Sequence, residues 1–297
     1  MVLGGGPAGL GAVYRLGERA AVTLLEKEGR VGGIASGLRV GELDVDLGSH
    51  RLHPSCDPAL LEDLRGLLGD DLLRRPRNGR IRLGDQWLGF PLRPFDLVRH
   101  LPFVFPLGIA ADSLRRLIPG ENGVTAPTFA SVLERGLGGT ICRSFYFPYA
   151  RKIWGVEPEG LSPTQAYRRV SRSSLAKLLR KVLIPSGGNG HFFYPRHGFG
   201  AICRALARGA EAAGVDLRTG TRVQGLQVEG GSVRRVLFSD PGGAGACEPD
   251  HVWSTIPLAD LVDLIRPAAP REVVHAAHGL NYRSMVLVYL VLETGRF

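Results

Sequence analysis

Long hydrophobic runs are missing from this 297-residue chain. No apolar stretch approaches the roughly 18 residues that a bilayer-spanning helix needs. The start carries no basic segment leading into an apolar one, which is the pattern of a secretory signal. The nearest spanning candidate, LPFVFPLGIAAD at residues 101–112, holds two prolines, and each removes a helix hydrogen bond. Cysteine is also sparse: Cys56, Cys142, Cys203 and Cys247 stand far apart, with no CxxC pair and no histidine at zinc-ligand spacing. They are read as reduced packing residues of a cytoplasmic protein, and no metal site is expected. Aromatic residues make up only 7% of the chain and no RNA- or DNA-reading module is visible, so the net charge of +9 is not read as a nucleic-acid signal. That charge permits an anionic small-molecule substrate or peripheral contact with a membrane surface, without choosing between them.

Glycine, by contrast, is abundant and crowds the front. Val2-Leu3 reads as a strand, GGGPAG as a tight turn, LGAVYRLGERA as a helix and AVTLLE as a second strand, which together make a βαβ half-unit. Gly4, Gly6 and Gly9 stand at GxGxxG spacing. In that pattern the first glycine allows the turn, the second lets a pyrophosphate approach, and the third lets helix pack on strand. The helix N-terminus offers free amides and the positive end of its dipole to phosphates. Glu26, about 20 residues on at the end of the second strand, is placed to accept hydrogen bonds from a ribose diol. Together these residues predict a dinucleotide, and NAD and FAD both satisfy them.

The hydrophobic fraction of 44% allows a sizeable core, in one large domain or two modest ones. The fold class predicted is α/β, with a βαβ segment at 1–54, an inserted and mostly helical region at 55–185, a return to the first domain at 186–265, and the start of a further sheet at 266–297. In the third part, an alanine-rich helix reaches Gly214, VDLRTGTRVQGLQVE and SVRRVLF read as strands around a Gly-Gly turn, and DPGGAGACEPD reads as a loop. HVWSTIP reads as a buried strand and SMVLVYLVLE as a strongly apolar one. Arg168, Arg169, Arg172, Lys177, Arg180 and Lys181 interleave with apolar residues as a basic amphipathic helix, facing solvent, anionic substrate or lipid headgroups.

Directly after Glu26 comes EKEGRVGGIASG, with Gly32 and Gly33 paired. This stretch resembles the second glycine element of the amine oxidase, protoporphyrinogen oxidase and phytoene desaturase superfamily. The resemblance implies a Rossmann-like domain binding FAD rather than an exchanging nicotinamide. Ile34 stands where an arginine is usual, so a phosphate or flavin contact made by that side chain is lacking. DVDLGSHRLHP, residues 44–54, is similar to the D-x-G segment whose backbone, here at Gly48, runs beside the flavin ring. Within it GSHRLH, with His50 and His53, resembles an element of UDP-galactopyranose mutases that lies against the flavin. FYFPYARKIWGVEPEGLSPTQAYRRVS, residues 145–171, resembles the Y-x-x-K-x-W-G segment of those mutases and of protoporphyrinogen-oxidase-like proteins, on Tyr149, Lys152, Trp154 and Gly155.

By their chemistry Arg151 and Lys152 supply charge for an anion, and Trp154 supplies a flat wall for a ring. The resemblance adds that Tyr149, Arg168 and Arg169 contact substrate, the arginines at a diphosphate, and that His50, His53, Lys152 and Trp154 are the catalytic candidates. FYPRHGFGAICRALA, residues 193–207, resembles a glycine-containing helix start near the flavin. In TRVQGL the resemblance sets Val223 against the adenine, and in STIP it brings Thr255 to the dinucleotide. The expectation is an FAD-dependent oxidoreductase that oxidises an organic substrate by hydride transfer. A mutase-like isomerase acting on a sugar nucleotide and a non-catalytic remnant of the fold stay open as alternatives. Members of the superfamily carry a late G-D element that is not found after SMVLVYLVLE, so the chain is read as a truncated member.

Overall fold

The computed structural model describes residues 1–77, 79–83, 85–90, 104–115, 126–169 and 190–293. They divide into two units, residues 1–75 with 191–297, and residues 76–190.

Unit 1 begins with β1 (Val2–Leu3), α1 (Pro7–Leu16) and β2 (Thr23–Leu25), then a hairpin of β3 (Gly37–Val40) and β4 (Leu43–Asp46), then α2 (Pro58–Leu68) and β5 (Leu72–Pro76). Unit 2 holds the hairpin β6 (Gly79–Leu83) and β7 (Gln86–Phe90), and the helices α3 (Val104–Arg115), α4 (Phe129–Leu137), α5 (Phe147–Trp154) and α6 (Pro163–Arg169). The chain re-enters unit 1 through β8 (His191–Pro195), α7 (Gly200–Ala212), β9 (Asp216–Arg218), β10 (Arg222–Glu229), β11 (Ser232–Asp240), β12 (Gly243–Cys247), β13 (Trp253–Ser254), α8 (Leu258–Leu264), β14 (Ile265–Arg266) and α9 (Arg271–His278).

Strand alternation builds unit 1 in layers. β13, β1, β2 and β9 lie side by side, all parallel. Successive side chains of a strand point to opposite faces. Val2 and Leu24 therefore pack on one face with Leu10 and Val13 of α1 and with Ile202, Leu206 and Ala210 of α7. Leu3 and Leu25 pack on the other face with Leu226, Val236 and Phe238 of a second sheet, ordered β12, β11, β10, β14. The β1–β2 pair is buried on both sides, which is why it reads as a continuous apolar run. In unit 2, α4 starts with a reciprocal Thr128–Ser131 capping box and buries Phe129 and Leu133 against Phe147, Ala150 and Ala166.

Several elements depart from the sequence reading. Residues 55–75, assigned there to the insertion, lie in unit 1, because Leu64 of α2 is buried in the α1–α7 core. VDLRTGTRVQGLQVE is split between two sheets, β9 beside β2 and β10 beside β11. The loop expected at DPGGAGACEPD contains β12, paired along β11. A Cβ on Gly245 would sit 2.5 Å from the Phe238 ring, so small residues leave room for that ring over the strand, and the usual strand composition is absent. SMVLVYLVLE has no ladder partner among the described residues and is largely exposed, Val286 at 88% and Leu290 at 77%; a strand needs a neighbour to satisfy its backbone. The first residues of LPFVFPLGIAAD and most of the basic stretch that starts at 168 lie outside the described residues.

All four cysteines are free thiols, and burial in α7 pushes the Cys203 thiol up to about 11. No described helix is long and apolar enough to cross a membrane, and no His/Cys/Asp/Glu cluster that could hold a metal occurs among the described residues.

Leu24 is fully buried between the α1 and α7 layer and its own sheet, whereas Trp87 in the β6–β7 hairpin is 62% exposed. In urea titrations, Leu24→Ala is expected to cost about 2–5 kcal/mol of unfolding free energy, and Trp87→Ala less than about 1 kcal/mol.

Candidate dinucleotide site

The glycine turn between β1 and α1 is closed by contacts that leave no room for side chains. Gly4 has a φ of +99°, a conformation that L side chains rarely adopt, and its N–H donates to the Leu25 carbonyl at 2.9 Å. A Cβ on Gly9 would lie 1.9 Å from the Gly4 oxygen, so helix and strand meet at van der Waals contact only because residue 9 is glycine. Thr255, one residue past β13, donates its hydroxyl to the Leu3 carbonyl at 2.9 Å and buttresses Gly4 from the other side. Gly6 is different: a Cβ there would meet nothing within 4 Å. The turn therefore opens at Gly6, at the N-terminus of a ten-residue helix whose first-turn amides have no intrahelical acceptor.

Glu26 follows β2, only 7% exposed. A buried carboxylate needs donors. Its Oε2 accepts the Gly5 N–H at 2.6 Å and its Oε1 accepts the Glu28 N–H at 2.8 Å. The Gly5 carbonyl in turn accepts the Gly32 N–H at 2.7 Å. Gly32, with φ +114°, turns the chain so that Gly33 passes Gly6; a Cβ on Gly33 would be 3.4 Å from the Gly6 Cα. Gly4, Gly5, Gly6, Gly9, Glu26, Gly32, Gly33 and Thr255 thus form one cradle. Val223 is set apart from it: the Thr221 N–H donates to the Glu26 carbonyl at 2.8 Å, but Val223 itself packs beside the Leu3–Leu25–Leu226 cluster.

The loop after β4 adds one of the two histidines. His50 Nε2 lies 3.0 Å from the Ile34 carbonyl, and because a carbonyl only accepts, Nε2 carries the proton. Its ring stacks on Phe199 at 5.2 Å between centroids. His50 therefore spans from the Gly32-Gly33 turn to the start of α7, passing close to Gly48, whose Cβ would lie 3.1 Å from Nε2. His53 is exposed and occupied locally: its Nδ1 accepts from the Ser55 N–H at 3.1 Å and lies 2.6 Å from the Ser55 hydroxyl. The Ser55 N–H can only donate, so Nδ1 is the unprotonated nitrogen.

The remaining candidates lie in unit 2. A π-helical turn, Cys142–Tyr146, runs into α5. Such turns are rare and occur frequently at functional sites. Tyr149 is 42% exposed, its ring parallel to that of Phe145 at 5.9 Å. Lys152 is exposed, and Arg151 pairs with Glu157 at 2.7 Å. Trp154 is half-buried and edge-on to Phe129 at 5.5 Å, so most of its ring serves the α4–α5 core. Gly155, at φ +68°, ends the helix. Arg168 and Arg169 close α6, and their side chains lie outside the described part of the structure.

Sequence reasoning passed over Gly5, Asp46, Tyr194 and Phe199. Gly5 stands at a variable position of GxGxxG, and its requirement shows only in the structure, where a Cβ would lie 2.9 Å from the Glu26 Cβ. Asp46 stood in the D-x-G segment, but its side-chain partners Tyr194 and Phe199 lie about 150 residues away and could not be read from it.

Residues 7–295 match the model of the flavin-containing amine oxidoreductase family, and the chain belongs to that family. Solved structures share the fold. A reduced UDP-galactopyranose mutase superposes with a TM-score of 0.74 at 20% identity, over 94% of this chain and 59% of that one. Cyclohexylamine oxidase from Brevibacterium oxydans gives 0.60 at 17% identity, over 93% and 62%. A protein from Exiguobacterium provisionally named a protoporphyrinogen oxidase gives 0.60 at 22% identity, over 92% and 62%. The chain thus spans about three fifths of the length of each.

The second and third glycines of the motif are expected to respond very differently to the same methyl group. Gly9→Ala drives a Cβ into a backbone carbonyl and should lower the unfolding free energy by about 1–3 kcal/mol or more. Gly6→Ala meets open space and should cost less than about 1 kcal/mol. Urea titration of both variants checks the difference.

Proposed function

We propose that this chain is the cofactor-holding part of an FAD-dependent oxidoreductase acting on a small organic substrate. The observation that carries the reading is the fixed carboxylate of Glu26 beside a glycine turn that is open only at Gly6. Each Glu26 oxygen already takes one N–H and keeps a lone pair for a ribose hydroxyl. The Gly6 opening and the α1 amides suit a pyrophosphate. These residues fit a dinucleotide, and membership of the flavin-containing family supports FAD over NAD. FAD, when bound, supplies the ability to accept a hydride from the substrate. The protein's part is to hold and orient. Glu26 anchors the ribose, Gly6 and α1 the phosphates, and His50, donating to Ile34, stiffens the wall formed by the Gly32-Gly33 turn.

A second reading is a flavin-dependent isomerase acting on a sugar nucleotide. It is favoured by the exposed Tyr149 stacked on Phe145, one turn before the exposed Lys152, a flat ring and a cation on one helix face. It calls for turnover of UDP-galactopyranose by reduced protein with no net redox change.

The test of the leading reading is reconstitution of the purified chain with FAD, followed by a visible spectrum and mass identification of what denaturation releases. Flavin bands that stay with the protein through gel filtration are expected, with Gly6→Ala weakening FAD binding about tenfold or more. A protein that remains colourless after reconstitution overturns both enzyme readings and leaves a non-catalytic remnant of the fold.

A further inference from the structure

After α9 the chain carries RSMVLVYLVLE, residues 283–293, and all of these residues are exposed. The Tyr289 hydroxyl donates to the backbone carbonyl of Asp46, which ties the stretch to unit 1. Exposure alternates along its centre: Val286, Val288 and Leu290 are 88%, 76% and 77% exposed, while Leu287 and Tyr289 between them are 36% and 39% exposed. A period of two belongs to extended backbone, whose side chains point to opposite faces in turn. The stretch therefore has an inner face towards Asp46, an outer face in solvent, and no ladder partner among the described residues. Natural edge strands are guarded by a charge, a proline or a bulge. Residues 284–292 contain no charged residue, proline or glycine.

The order of residues in the stretch fits it to itself. In an antiparallel pair with a second copy centred on Val288, Val288 meets Val288, Leu287 meets Tyr289, Val286 meets Leu290 and Met285 meets Val291. Apolar and aromatic side chains directly opposite one another stabilise an antiparallel ladder. At the two ends Arg283 meets Glu293. Both are exposed, and neither is held in an ion pair among the described residues. A shift of one residue moves these charges off each other and sets inner side chains against outer ones. A parallel pair in register sets arginine on arginine and glutamate on glutamate, which is destabilising. The antiparallel register centred on Val288 satisfies the middle and both ends together.

We propose that residues 283–293 are a self-complementary edge that pairs antiparallel with the same edge of a second copy of this chain, giving a two-fold symmetric dimer. The two-fold axis passes through Val288, and the symmetry makes the Arg283–Glu293 pair occur twice. The dimer needs no flavin, so the proposal stands apart from the cofactor reading.

Sedimentation velocity of the 297-residue chain over a concentration series, without flavin, is expected to show a monomer–dimer equilibrium. Val288→Lys sets two ammonium groups together on the axis and should leave monomer throughout. Arg283→Glu and Glu293→Arg each place like charges opposite one another at both ends and should weaken the dimer about tenfold or more, whereas the two substitutions combined should restore it to within about threefold. Thermal melts show which variants are folded; Arg283 and Glu293 are exposed, so the charge swap decides even if Val288→Lys does not fold. A wild type that is monomeric at every concentration overturns the proposal, and if that monomer floats with phosphatidylglycerol vesicles the stretch belongs to a lipid surface instead. A dimer that persists in folded Val288→Lys, single charge variants that dimerise like the wild type, a combined variant that stays as weak as the single ones, or polydisperse aggregates in place of a dimer overturn it equally.

Discussion

The hydrogen bond from the Gly5 N–H to the Glu26 carboxylate is the contact on which the rest of the site depends. Glu26 is 7% exposed, and a carboxylate so placed is tolerated only with donors in reach. Gly5 supplies one, and its carbonyl takes the Gly32 N–H in return. One residue thus sets the acidic group on one side and the paired-glycine turn on the other. It must itself be glycine, because a side chain would press on Glu26. The outer glycines shape the space around this centre: Gly9 lets helix meet strand, and Gly6 leaves the opening.

Much of this was legible because it is local. The GxGxxG spacing, the strand ending at Glu26 and the double glycine after it lie within the first 33 residues, and each has a physical reason tied to its neighbours. The layered core was not read from the sequence, although Val2 and Leu3 are both apolar and a strand with two apolar faces is covered twice. What could not be read depends on partners distant in sequence. β12, GAGAC, is mostly glycine and alanine and is a strand through its pairing along β11, where the Phe238 ring lies against Gly245. SMVLVYLVLE has strand composition and no strand to pair with among the described residues. Asp46 was visible as the aspartate of the D-x-G segment, but its bonds to Tyr194 and Phe199 were not, because those partners lie about 150 residues away.

The two histidines show how geometry separates residues that composition treats alike. His50 crosses between two glycine-rich segments, and its proton on Nε2 is committed to Ile34. His53 closes a turn with Ser55 at the surface. Trp154 likewise is mostly a packing residue against Phe129, while Tyr149 and Lys152, on the same helix, are exposed. In unit 1, hydrogen bonds join Gly5, Glu26, Glu28 and Gly32 around the cradle. In unit 2, Tyr149, Lys152 and Trp154 share α5, whereas Arg168 and Arg169 close α6.

The most direct measurement of the central claim is an amide chemical-shift titration of the ¹⁵N-labelled chain with ADP. The account predicts the largest shifts at Gly5, Gly6, Ala8 and Gly9, at Glu26 to Glu28, and at Gly32 and Gly33, with little change along β10 to β12. ADP binding that leaves those amides unmoved, or that shifts a different surface, would contradict it.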